Sequence, residues 1–214
     1  MKTPDWQSED NRIQLYCGDC LEIMPETQDK SVDLVLTDPP YGIGNIWKGG
    51  SCHGWGTSRI QGITRNEWDD KPPSQNTFNE IFRVSREQIV WGGNYFTFPP
   101  SRGWLVWNKP ERGFSLAEAE LAWTNKDTVI RVCDCHRSDA NRQHPTQKPL
   151  DLFLWCLEYF PKTETILDPF LGSGTTAIAC IKTGRRCIGI EKEPKYFDLS
   201  VKRIKDELAQ LNLF

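Results

Sequence analysis

Thr165-Ile166-Leu167-Asp168-Pro169-Phe170-Leu171-Gly172-Ser173-Gly174-Thr175-Thr176 decides the fold. Thr165 to Leu167 reads as a strand, and Asp168 to Thr176 leaves it. A helix follows over Ala177 to Lys182, with Gly184 as its C-terminal cap. Strand, glycine turn, helix is the βα unit that binds nucleotides. The glycines allow a tight turn and close approach by a ligand, and the helix N-terminus offers N–H groups to an anion. No lysine follows them, so this is not a phosphate-binding GxxxxGK[ST] loop, and the spacing is not GxGxxG. The next strand, Cys187-Ile188-Gly189-Ile190, ends in Glu191. An acidic side chain there can hold two ribose hydroxyls. The ligand therefore carries a ribose and a small anionic group, without need of a pyrophosphate. S-adenosylmethionine fits, with its adenosine toward Glu191 and its amino-acid end toward the glycine turn.

Upstream, the apolar run Val32-Asp33-Leu34-Val35-Leu36 reads as a buried strand. It opens into Thr37-Asp38-Pro39-Pro40-Tyr41-Gly42. Ligands of open α/β sheets bind at the carboxyl ends of strands. Two prolines stiffen the chain and remove two N–H donors, leaving the Asp38 and Pro39 carbonyls to face a substrate. Asp38 is an acceptor when ionised, and Tyr41 offers a face for stacking. The set suits a planar group that bears an NH2. Asp-Pro is also ordinary turn chemistry, so the hexapeptide alone leaves a plain turn open.

Between these stretches the pattern gives further strands at Gln88 to Trp91, Gly103 to Trp107, Glu118 to Trp123 and Thr128 to Val132. The last two are expected as an antiparallel edge. Phe78, Ile81 and Phe82 mark a short amphipathic helix. Asn94 and Tyr95 stand at a strand end that could reach the same cleft. Leu150, Phe153, Leu154 and Leu157 share one face of another helix, and Phe197, Val201, Ile204, Leu208 and Leu211 share one face of the last. At the start, Arg12 to Tyr16 alternates as a strand, with Gly18 as its exit and Asp19 as a helix cap. Residues 43–76 lack periodicity and read as a substrate-facing loop.

The 214 residues favour a single domain spanning 1–214. A hydrophobic fraction of 38% with 26% charged residues excludes a disordered chain. The net charge of −3 argues against a generally basic nucleic-acid binder. A local excess remains around Lys126, Arg131, Arg137, Arg142 and Lys148. Eight cysteines, a polar N-terminus and no apolar run of about 20 residues point to a cytoplasmic protein with reduced thiols. Cys17 and Cys20 would need Cys133, Cys135 and His136 as partners to bind zinc, an unusual half-site, and no metal is expected.

Asp38-Pro39-Pro40-Tyr41 together with Asp168 to Gly174 resembles the amino-methylating DNA methyltransferases. The order, catalytic motif first, is similar to their permuted β group. His144-Pro145-Thr146-Gln147-Lys148-Pro149 and Gly18-Asp19-Cys20 match that group as well. The resemblance covers residues 13 to about 208. It implies an α/β fold: a doubly wound, mostly parallel seven-stranded Rossmann-like sheet with one antiparallel strand. It implies S-adenosylmethionine as cofactor, held by Asp168, Phe170, Gly172, Gly174 and Thr175 at its methionine end. Glu191 would take the ribose, Asp19 would lie near the adenine, and Thr146 and Lys148 would lie near the amino-acid end.

The resemblance also implies the chemistry. Asp38 and the Pro39 carbonyl would each accept one N–H of a base amino group, with Pro40 stiffening the turn. The base would be flipped out of duplex DNA and stacked on Tyr41. Asp rather than Ser in the first position leans toward adenine N6, with cytosine N4 or an RNA amino group as alternatives. An Asn-Pro-Pro-Tyr pattern would mark protein glutamine instead. Only residues 110–143 remain for a separate recognition region, so a short target, loose specificity or recognition by residues 43–76 is expected, and the chain resembles compact phage or prophage enzymes. A homodimer is compatible with this group, as is a place in restriction-modification.

Overall fold

Val32, Leu34, Val35 and Leu36 are each at most 1% exposed. A strand covered on both faces has no polar side to show, which is why this run is almost continuously apolar. It forms β3 (Val32–Thr37), the centre of the sheet. The computed structural model describes residues 2–43, 71–111, 117–136 and 147–211.

Before β3 come β1 (Trp6–Gln7), β2 (Ile13–Cys17) and α1 (Cys20–Ile23). After it come α2 (Gln75–Val84), β4 (Ser85–Trp91), β5 (Trp104–Asn108), β6 (Ala119–Thr124) and β7 (Arg131–Asp134). The chain closes with α3 (Leu150–Glu158), β8 (Thr165–Asp168), α4 (Thr175–Lys182), β9 (Arg186–Glu191) and α5 (Pro194–Leu211).

Among the described residues the strands form one nine-stranded sheet in the order β1-β2-β9-β8-β3-β4-β6-β5-β7. Seven of them run one way, and β1 and β6 run against them. The expected sheet was thus mostly parallel as found, but with seven strands rather than nine. β1 pairs over two residues only, Trp6 with Leu15 and Gln7 with Gln14, too short to leave a pattern. The expected antiparallel edge is also different. β6 is inserted between β4 and β5, while β7 forms the edge parallel to β5.

The sheet is wound on both faces. Leu15, Leu34, Leu36, Ile89 and Trp91 pack with α3, α4 and α5 on one side. Tyr16, Val35, Val90, Leu167 and Ile190 pack with Phe78, Ile81 and Val84 of α2 on the other. Alternate residues of one strand serve opposite cores, as the two-residue repeat of a pleated strand requires. Asp33, the one polar break in β3, sits at the amino edge. Its carboxylate accepts the Glu164 and Thr165 N–H groups at 3.0 Å and fixes the start of β8. No helix among the described residues is long and apolar enough to cross a membrane.

Candidate active site

The carboxyl ends of the parallel strands converge on one edge. β3 delivers Asp38, β8 delivers Asp168, β9 ends in Glu191 and β2 leads to Asp19. Because β6 runs the other way, its beginning lies on this same edge and brings Glu120 there. β5 leads to Lys109 from the neighbouring position.

Around the glycine turn, Asp168 accepts Thr37 Oγ1 at 2.7 Å and the Phe170 N–H at 3.1 Å through Oδ1. Its Oδ2 accepts the Thr176 hydroxyl. Burial pushes the Asp168 carboxyl up to about 6 in spite of these donors. Gly172 and Gly174 have φ of 55° and 86°, the left-handed region that favours glycine. A Cβ on Gly174 would come within 3.1 Å of Ser200 Cβ, whereas one on Gly172 would meet nothing nearer than 3.9 Å. Gly174 is therefore glycine for packing, and Gly172 opens onto free space.

Glu191 is 8% exposed. Its Oε2 accepts the Gly172 N–H and its Oε1 the Glu193 N–H, both at 2.8 Å. Burial raises this carboxyl and the two N–H bonds oppose the rise. Asp19 caps α1 by accepting the Leu21 N–H at 2.9 Å, as its position before Cys20 predicts, and pairs with Lys192 at 3.1 Å. The Leu21 N–H and Lys192 hold its carboxyl below the usual range, against some burial. Phe170 is half-buried and Thr175 is buried. A backbone-anchored carboxylate at Glu191, open space at Gly172 and the N-terminus of α4 together fit a ligand with ribose hydroxyls and an amino-acid end. These are the residues that could hold S-adenosylmethionine.

The second half of the site surrounds Asp38. Tyr41 donates its hydroxyl to Asp38 Oδ1 at 2.7 Å. Lys148 Nζ lies 2.6 Å from Asp38 Oδ2, 3.1 Å from Glu120 Oε2 and 3.2 Å from the Tyr41 hydroxyl. Glu120 also takes the Lys109 ammonium. Pro39 is buried and Pro40 half-buried beside them. Burial raises Asp38; the Lys148 charge opposes that, and the Glu120 charge adds to it. Burial would raise Glu120 too, but Lys148 and Lys109 outweigh it and hold that carboxyl at about 2. Burial disfavours the Lys148 ammonium, yet Asp38 and Glu120 raise its pKa overall. Tyr95 stacks on Tyr41 with centroids 4.9 Å apart and 17° between planes. Tyr41 and Tyr95 border a cleft of about 120 Å³ shared with Gly92, Asn94, Ala119 and Glu120.

Lys148 sits on Asp38, and it is its neighbour Gln147 that meets the glycine turn, accepting the Ser173 hydroxyl at 3.3 Å. Thr146 lies outside the described residues, as do 44–70 of the expected loop and 112–116 and 137–143 of the expected recognition region. The local basic surface is partly absorbed: Lys148 is buried, Lys126 bonds the Tyr159 carbonyl, and Arg131 lies over the Tyr159 ring. Cys17 and Cys133 stand on the second and the last strand of the sheet, so the two cysteine pairs are far apart. Glu120 and Lys109 were not singled out from the sequence. The available signal was a carboxylate between Ala119 and Leu121 in an otherwise apolar strand.

The family described as DNA methylase, of the N6/N4 class, matches residues 90–202, slightly more than half of the chain. The type II methyltransferase M2.MboI of Moraxella bovis is 29% identical over 251 aligned positions, covering 94% of this chain and 90% of that protein. Two solved structures share the fold. The PvuII DNA methyltransferase, cytosine-N4-specific, superposes with a TM-score of 0.60 at 16% identity, covering 96% of this chain and 94% of its own. M1.HpyAVI in complex with S-adenosylmethionine superposes with a TM-score of 0.56 at 21% identity, covering 90% and 98%.

Proposed function

Since the chain belongs to the DNA methylase family of the N6/N4 class, we propose that the amino group it methylates is N6 of adenine, with Asp38 as its acceptor. It is a DNA methyltransferase, and S-adenosylmethionine is its methyl donor. The observation that carries the site assignment is the 2.7 Å bond from Thr37 to Asp168. It ties the end of β3 to the start of the glycine turn, so that Asp38 and that turn leave neighbouring parallel strands side by side.

When bound, S-adenosylmethionine supplies an electrophilic methyl group on a sulfonium. The turn from Asp168 to Thr175, with Phe170, Gly172 and Gly174, would hold its amino-acid end. Glu191 would hold the ribose and Asp19 the adenine side. A base amino nitrogen is a weak nucleophile because its lone pair is conjugated with the ring. Asp38 and the Pro39 carbonyl would each accept one N–H and turn that lone pair out of conjugation. The benefit is orientation and stabilisation of the positive charge that grows on nitrogen. Asp38 would also receive the proton that the methylated nitrogen sheds. Tyr41, fixed through its hydroxyl to Asp38, would present its ring to a flipped base.

Asp rather than Ser at position 38 supports adenine over cytosine. Nucleoside mass spectrometry of DNA from cells expressing the protein tests this choice. N6-methyladenine is expected; N4-methylcytosine in its place would overturn the adenine assignment. Residues 43–76 and 110–143 are proposed to read the target within a single 1–214 domain.

A further inference from the structure

We propose that Glu120 is a positioning residue for methyl transfer: with Lys109 it provides a second seat for the Lys148 ammonium, which Lys148 occupies when a base amino group takes its place on Asp38. This rests on Asp38 being the amino acceptor. The geometry creates the need. Lys148 Nζ lies 2.6 Å from Asp38 Oδ2, on the carboxylate that must accept the incoming N–H. An ammonium there competes for the acceptor and opposes positive charge building on the nitrogen. Lys148 is 7% exposed, so leaving Asp38 without another carboxylate would strand a buried charge.

Glu120 removes that difficulty. It is already 3.1 Å from Lys148 Nζ, so the ammonium bridges the two carboxylates and needs only a small movement to favour one. Lys109 anchors the far oxygen of Glu120 and keeps the seat in place. The Tyr41 hydroxyl spans the same pair, 2.7 Å from Asp38 and 3.4 Å from Glu120. Two carboxylates and two ammonium groups make the cluster neutral, so the exchange moves no net charge into or out of the site. The groups that face Asp38 are Tyr41 from its own turn, Lys148 from the segment before α3, Glu120 from β6 with Lys109 from β5 behind it, and Asp168 from β8 across Thr37.

The full-length Glu120→Gln protein tests the exchange. Lys148 is then left to Asp38 alone, and a like charge beside Asp38 is gone. The plateau kcat should fall about tenfold or more, while the Kd for S-adenosylmethionine by calorimetry stays within about twofold. The acid limb of kcat should move to lower pH. The carbon-13 NMR titration of the Asp38 carboxyl, assigned with Asp38→Asn, should move the same way without turnover. Adding Lys148→Met to Glu120→Gln should recover activity by about fivefold or more, since the competitor is removed. If Glu120→Gln does not fold, Lys109→Met reads the exchange with opposite sign: Lys148 is drawn to Glu120, and the Asp38 titration moves to higher pH. An unchanged plateau, an acid limb moving upward in Glu120→Gln, or no recovery in the double variant would overturn the second seat. Asp38→Ala separates the two ideas. Retained transfer there would overturn Asp38 as acceptor, whereas lost transfer beside a fully active Glu120→Gln would overturn only the role of Glu120.

Discussion

Gly92→Ala probes the catalytic edge from a residue that carries no chemistry. Gly92 has φ of 71° and ψ of 20°, a left-handed conformation that costs a residue with a Cβ about 1–2 kcal/mol. The added methyl would also stand 2.1 Å from Tyr41 Cε1, and 2.5 and 2.6 Å from its bonded neighbours Cδ1 and Cζ. Distances to those neighbours that exceed the 2.1 Å contact by only 0.4 and 0.5 Å place the methyl over the ring face, so the ring cannot escape by a small in-plane slide. Carbon–carbon contacts settle near 3.5–4 Å, so Tyr41 must withdraw by about 1 Å or more. That breaks the geometry of its 2.7 Å bond to Asp38 and of its stack on Tyr95. A misplacement of about 1 Å in a positioning group costs on the order of 100-fold in rate. The backbone strain alone should lower Tm by about 2–8 °C, at about 2–4 °C per kcal/mol for a chain of this size. Tritium transfer from labelled S-adenosylmethionine to DNA, beside a thermal melt, reads both effects. A variant with wild-type kcat and Tm would refute the contact and the importance of the ring's position.

Two carboxyls predict opposite pH dependences of stability. Asp168 is raised from 3.8 to about 6, so its contribution is fully present below pH 3.8 and is lost as pH rises through 6, by about 3 kcal/mol. Glu120 is lowered from 4.5 to about 2, so its contribution is present above 4.5 and is lost as pH falls toward 2, by a similar amount. Denaturant midpoints from pH 2 to 7 should show the first slope vanish in Asp168→Asn and the second in Glu120→Gln; slopes unchanged in both would contradict the assigned surroundings. Glu191→Gln keeps the shape of the side chain but removes the charge offered to the ribose. It should raise the Kd for S-adenosylmethionine by about 10–100-fold, the worth of a hydrogen bond to a charged acceptor, and an unchanged Kd by calorimetry would remove Glu191 from the cofactor site.

What was legible in the sequence was local. Thr165 to Lys182 switches from strand to turn to helix within itself, and β3 announces its burial through an apolar run broken only by Asp33 near its start. The polar residues at those strand ends therefore fall on one edge from the sequence pattern alone. Adjacency was not legible. Nothing local says that β6 slips between β4 and β5 with reversed direction, and it is this reversal that carries Glu120 to the site edge. Lys148 shows the same limit. The family resemblance implies a place near the cofactor's amino-acid end, whereas its long side chain reaches Asp38 at the end of β3 and Gln147 faces the turn. β7 lies at Arg131–Asp134 rather than Thr128 to Val132 for a related reason: Val129 and Ile130 before it and Val132 within it are all half or more exposed, so no buried face sets the strand's limits.

The central claim is that Asp38 engages the amino group beside the bound methyl donor. Methyl transfer to DNA by Asp38→Ala, measured with labelled S-adenosylmethionine on protein whose cofactor Kd is determined alongside, tests it most directly. The account predicts loss of transfer by about 100–1,000-fold, the scale of removing an electrostatic group from the reacting centre, with cofactor binding within about threefold of wild type. Transfer at the wild-type rate would contradict it.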